Sequence, residues 1–84
     1  MSGGSGAPGG SASGRQIAVH LNGAPTLLAT DTTVADVVGL AGFAPEARGV
    51  AVALDGDVVP RADWTTTTVR EGARLEVLTA VAGG

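Results

Sequence analysis

The one reactive group that the sequence presents without an obvious structural duty is the α-carboxylate of Gly84, carried on the tail Ala82-Gly83-Gly84. Glycines at this place end the chain rather than make a turn. A segment without side chains can enter a narrow enzyme channel and adopt backbone angles closed to other residues. An α-carboxylate is ionised at neutral pH and is a poor electrophile, so it needs activation from outside. Transfer of AMP from ATP would turn it into a mixed anhydride, which a persulfide could attack to leave a thiocarboxylate on Gly84. The sequence has no cysteine. A cysteine-free chain can carry sulfur only in this way, and it can form neither disulfides nor thiolate metal sites.

The other residue types that do chemistry lack partners. His20 is the sole histidine, so a metal site or catalytic dyad built on it would be incomplete, and a solvent-facing strand residue is expected. Asp55 and Asp57 flank Gly56 and look like a carboxylate pair, but Asp-Gly is what a hairpin turn asks for by itself. Thr65 to Thr68 lack the glycines and lysine of a phosphate loop. Trp64 reads as a core anchor. No metal site and no catalytic residue is expected, and the chain reads as a non-enzyme.

Composition narrows the classes further. At 84 residues, the chain forms one domain, and there is little room for an enclosed active site. Hydrophobic residues make up 44 % and aromatics 2 %, so the core must be built from Val, Leu, Ile and Ala. The formal net charge is −3, and all five basic residues are arginines spread along the chain, which gives no electrostatic footprint for nucleic acid. Without lysine, the chain is unsuited to building polymers on its own side-chain amines. No apolar run approaches the roughly 20 residues that span a bilayer, and a signal-peptide pattern is absent, so a cytoplasmic protein without membrane contact is expected.

The elements that must position the tail follow from periodicity. Residues 1–15 open with a Gly/Ser/Ala/Pro-rich stretch that cannot bury enough apolar surface to order itself, and they are expected to form a disordered extension. From Gln16, the apolar Ile17, Val19 and Leu21 alternate with Gln16, Ala18 and His20, as in a strand, and Asn22-Gly23 is a hairpin turn. A second strand covers Ala24 to Leu28, with Pro25 acceptable on a free edge. Thr33-Val34-Ala35-Asp36 resembles a capping box, Val34, Val37, Val38 and Ala41 make one helical stripe, and Gly42 is a stop. Val50, Val52 and Leu54 share a strand face, Asp55-Gly56 is a second hairpin turn, and Pro60 ends the short strand Asp57-Val58-Val59.

Arg61 to Thr68 shows neither period and is expected to be an irregular crossing anchored by the indole of Trp64. Glu71-Gly72 turns into a last strand, Arg74 to Ala80. The order is ββαββ plus a final strand, an α+β roll with one mixed sheet of four to five strands packed on one main helix over residues 16–80, followed by a flexible tail at 81–84. Ala18, Ala51, Ala53, Leu78 and Ala80 fall opposite the bulkier residues. Alternation leaves open whether they are core or a smooth, weakly apolar docking face.

Taken together, Leu21-Asn22-Gly23, Thr33-Val34-Ala35-Asp36, the run Gly49 to Leu54, Val58-Val59-Pro60-Arg61, Trp64 and Leu78 to Gly84 resemble the thiamine-biosynthesis sulfur carriers, the ThiS family of ubiquitin-like β-grasp proteins. Asp55-Gly56 stands where the family commonly has Asn-Gly, and the N-terminal stretch has no counterpart. The resemblance implies adenylation of Gly84 by an E1-like adenylyltransferase that uses ATP, with any zinc belonging to that enzyme and no cofactor bound by this chain. It also implies sulfur supply from a cysteine desulfurase relay and delivery of the thiocarboxylate to thiazole synthase. Carriers of the same fold in other pathways, the small subunit of molybdopterin synthase and a cysteine-biosynthesis carrier, also end in Gly-Gly. A plain ubiquitin-like interaction module is the reading from another class.

Overall fold

A computed structural model of the chain describes residues 15–79. Residues 1–14 and 80–84, and with them Gly83, Gly84 and most of the expected extension, lie outside the described residues.

The first hairpin joins β1 (Gln16–Leu21) to β2 (Ala24–Ala29). Its turn residues Asn22 and Gly23 have φ of 52° and 84°, the left-handed pair that matches the twist of the flanking strands. The hairpin takes in Arg15, whose carbonyl accepts from the Thr30 N–H and Oγ1, each at 3.1 Å. Pro25 lies opposite His20 in β2, and β2 is an edge strand, where a missing N–H is tolerated.

Helix α1 (Val34–Leu40) begins as the sequence predicts. Thr33 Oγ1 accepts from the Asp36 N–H at 3.1 Å, and Asp36 Oδ2 accepts from the Thr33 N–H at 3.1 Å, the two reciprocal bonds of a capping box. The next donors do not need the cap. Val34 N–H donates to Thr67 O and Ala35 N–H to Trp64 O, so the crossing segment satisfies the first turn of the helix. The helix stops at Gly42, with φ of 98°. Gly42 N–H reaches Gly39 O and Phe43 N–H reaches Val38 O, the paired bonds of a Schellman ending.

The second hairpin joins β3 (Val50–Leu54) to β4 (Asp57–Val59) through Asp55-Gly56, again with positive φ at both residues, 52° and 93°. The crossing that follows is more regular than its sequence suggests. A single 3₁₀ turn, Arg61–Asp63, starts after Pro60, whose fixed φ suits the residue before a helical turn. The last strand, β5 (Arg74–Thr79), then runs through the middle of the sheet. The strand order is β2-β1-β5-β3-β4, with β5 parallel to β1 and antiparallel to β3.

One face of this mixed five-stranded sheet packs on α1. Val19, Leu28, Val52, Leu75 and Val77 from the strands meet Val34, Val37 and Val38 from the helix, and Trp64, Val69 and Ala73 close the end of the cluster. Each of these is buried, and no polar or charged side chain is buried among the described residues. The fold is the α+β ubiquitin-like roll expected from the sequence. The Trp64 indole fills the place assigned to it, and its Nε1–H donates to Val59 O at 3.0 Å, which satisfies the one polar atom that burial of the ring would otherwise strand.

Candidate functional site

Of the residues that the sequence offers for chemistry, Asp55, Trp64, Thr66 and Thr67 have structural duties. Asp55 occupies the left-handed turn, and its Oδ1 accepts from the Arg74 N–H at 2.9 Å. Thr66 and Thr67 turn their hydroxyls onto Asp63 O, at 3.3 and 2.7 Å, which caps the 3₁₀ turn rather than facing a ligand. His20 is exposed on the sheet, across from Arg74 on β5. Among the described residues, no three His, Cys, Asp or Glu side chains converge where they could hold a metal ion. No helix of the described residues is long and apolar enough to cross a membrane.

The tail is instead approached through the strand that carries it. β5 is the central strand, and Thr79 at its end is five positions before Gly84. The register shows how that end is held. His20 pairs with Arg74 and Leu21 with Leu75, so β1 reaches its turn while β5 still has four residues to run. Beyond that point, β5 is paired along its full length only with β3, from Val50 opposite Thr79 to Leu54 opposite Leu75.

The open face of the sheet is now assigned. Ala18, Ala51 and Leu78 are exposed and Ala53 is half-buried, so they form the uncovered face and not the core. Leu78 is 56 % exposed and Val58 72 %. Leu78 lies opposite Ala51, and Ala53 lies between Val58 and Glu76, which places an apolar patch beside the exit of β5. His20, Arg74 and Glu76 cross the middle of the same face, so the surface is apolar at one end and polar at its centre. Ala80 lies outside the described residues.

Two contributions were not visible in the sequence pattern. Arg61 sets its guanidinium 4.5 Å from the Trp64 ring centroid and donates to Pro45 O at 2.9 Å and to Ala47 O. One side chain thereby pins the loop before β3 against the core tryptophan by hydrogen bonds and a cation–π contact. Asn22 is the other. Its Oδ1 accepts from the Val77 N–H at 2.8 Å, so a hairpin residue also holds the central strand. Only the spacing of Pro60, Arg61 and Trp64 in the sequence hints at the first. Nothing local signals the second.

Comparison with known proteins agrees with this architecture. No curated protein matches the sequence significantly. Among solved structures, the crystal structure of thiamine biosynthesis protein ThiS from Geobacter metallireducens superposes with a TM-score of 0.68 at 30 % identity, over 81 % of this chain and 100 % of that one. The solution structure of a thiamine biosynthesis protein from the same organism gives 0.66 at 30 % identity, over 81 % of this chain and 88 % of that one. The family model for the ThiS family matches residues 12–84, which takes in the whole described fold and runs through Gly83 and Gly84. With five strands in this order, one capped helix and a central last strand, the chain belongs to the ThiS family.

Proposed function

We propose that this chain is a sulfur carrier of thiamine biosynthesis and that the carboxylate of Gly84 is the group that carries the sulfur. The observation that carries the reading is the family match that extends through Gly84, on a fold whose last strand is central in the sheet and ends at Thr79. The absence of cysteine from the sequence leaves this carboxylate as the attachment point.

The chemistry follows from what a carboxylate lacks. Its oxygen attacks the α-phosphorus of ATP, and pyrophosphate leaves. The terminal sulfur of a persulfide then attacks the activated acyl carbon, AMP leaves, and an acyl disulfide remains. A thiol cleaves the S–S bond, which leaves a thiocarboxylate on Gly84 and a disulfide on the donor side. ATP is used by the activating partner, an E1-like adenylyltransferase. The sulfur comes from a cysteine desulfurase or a related donor, and thiazole synthase receives it. This chain supplies no catalytic group. Its contribution is a rigid sheet, a recognisable face and a tail narrow enough to reach another protein's active site.

The apolar patch of Leu78, Ala51, Ala53 and Val58 lies toward the end of β5, and its docking on the partner would deliver the tail to the partner's channel. Growth complementation tests the pathway. The protein is expected to restore thiamine-independent growth to a strain lacking its own thiazole sulfur carrier. Rescue of a molybdenum-cofactor or cysteine defect in place of the thiamine defect would assign the chain to another sulfur pathway.

A further inference from the structure

The parallel ladder between β1 and β5 contains a substitution that the strand pairing alone does not reveal. His20 N–H donates to Ala73 O at 2.9 Å, and Asn22 N–H donates to Leu75 O at 2.8 Å. In an uninterrupted parallel ladder, the next bond would run from the Val77 N–H to the backbone carbonyl of residue 22. That carbonyl is not in place, because Asn22 adopts φ of 52° and turns the chain toward β2. The Val77 N–H instead donates to Asn22 Oδ1. The side-chain amide stands in for a peptide group and carries the ladder one bond beyond the end of β1.

Past that bond the support from the β1 side ends. Val77 and Thr79 direct their backbone groups away from β3, because Arg74 exchanges bonds with Asp55, the residue that follows β3, and alternate residues face alternate sides. The Thr79 N–H therefore points to the side that β1 has vacated. Asn22 fixes the last point at which β5 is held from both sides.

We propose that Asn22 is a positioning residue for the sulfur-loading reaction. By anchoring Val77, it holds β5 two residues before Thr79, the end of the strand from which the tail continues in sequence. The inference rests on the carrier reading above. A tail launched from a fixed point loses less freedom when the activating enzyme binds it, so the effect belongs to the KM for the carrier and not to kcat.

The test uses the full chain, ATP, a sulfur donor and the adenylating enzyme of the same organism. Asn22→Gly keeps a turn that glycine adopts freely but removes the oxygen, whereas Asn22→Asp keeps an oxygen at the same distance. For Asn22→Gly, hydrogen exchange at the Val77 amide is expected to quicken at least ~10-fold. The KM for the carrier should rise about three- to tenfold with kcat unchanged. Asn22→Asp should restore both, and that variant alone decides the matter if the glycine variant does not fold. Thr33→Ala, which weakens the helix cap far from this bond, should lower stability without moving KM. Faster exchange with a wild-type KM would reduce Asn22 to a structural residue and overturn the proposal, as would a loss confined to kcat or an Asn22→Asp variant that behaves like Asn22→Gly. A wild-type chain that is not adenylated at all would overturn the carrier reading itself, whatever the exchange at Val77 shows.

Discussion

In the proposed function, Gly83 and Gly84 serve by having no side chains. Two of the rivals named from the sequence have specific occupations in the fold: Asp55 holds a turn and the Arg74 N–H, and Thr66 and Thr67 close the turn at Asp63. Of these roles the Asp55-Gly56 turn was legible, because turn chemistry is local, whereas the Asp55 bond to Arg74 spans 19 positions. Gly83→Val should slow sulfur loading by about tenfold or more, equivalent to ~1.4 kcal/mol of transition-state stabilisation. A β-branched side chain both crowds a channel and restricts the backbone. The melting temperature should stay at the wild-type value, as calorimetry beside a loading assay would show. A variant that loads normally would mean that the channel tolerates bulk at this position.

At the scale of elements, most of the design could be read in advance. The Asn22-Gly23 and Asp55-Gly56 turns, the capping box at Thr33 and the stop at Gly42 all depend on residues within a few positions of one another. What escaped depends on distant segments. The Asn22 bond joins residues 55 positions apart, and the 3₁₀ turn at Arg61 is too short to show a period. The Arg61 contacts reach back to the loop at Pro45 and Ala47. Two changes test the energetics. Thr33→Ala removes half of the capping box and should cost about 1 kcal/mol in denaturant unfolding. Trp64→Ala empties the end of the core, strips Arg61 of its ring and should cost ~3–5 kcal/mol. Against the total of about 5–15 kcal/mol usual for a domain, the second change approaches loss of the fold. A small effect at Trp64 would show that the aliphatic cluster closes without it.

For the whole molecule, the roll of one helix on a mixed sheet was legible from element order. Which sheet face the helix covers was not, since alternation divides each strand into two faces without naming the inner one. Burial assigns it: Val19, Val52, Leu75 and Val77 face the helix, and Leu78 and Val58 face outward. An exposed leucine beside the exit of the last strand is expected to contact the activating partner. Leu78→Asp should therefore raise the KM for loading about tenfold or more, with stability changed by less than about 0.5 kcal/mol. Equal loading by this variant would place the docking surface elsewhere. Removal of residues 1–14 should leave the thermal transition and the loading rate unchanged, because the described fold begins with the bonds of Arg15 to Thr30. The central claim is that Gly84 carries the sulfur, and intact mass spectrometry reads it most directly. After incubation with the activating enzyme, ATP and a sulfur donor, the mass of the chain should rise by the difference between one sulfur and one oxygen, and a chain lacking Gly84 should show no rise. An unchanged mass for the intact chain, or the same gain without Gly84, would contradict the account.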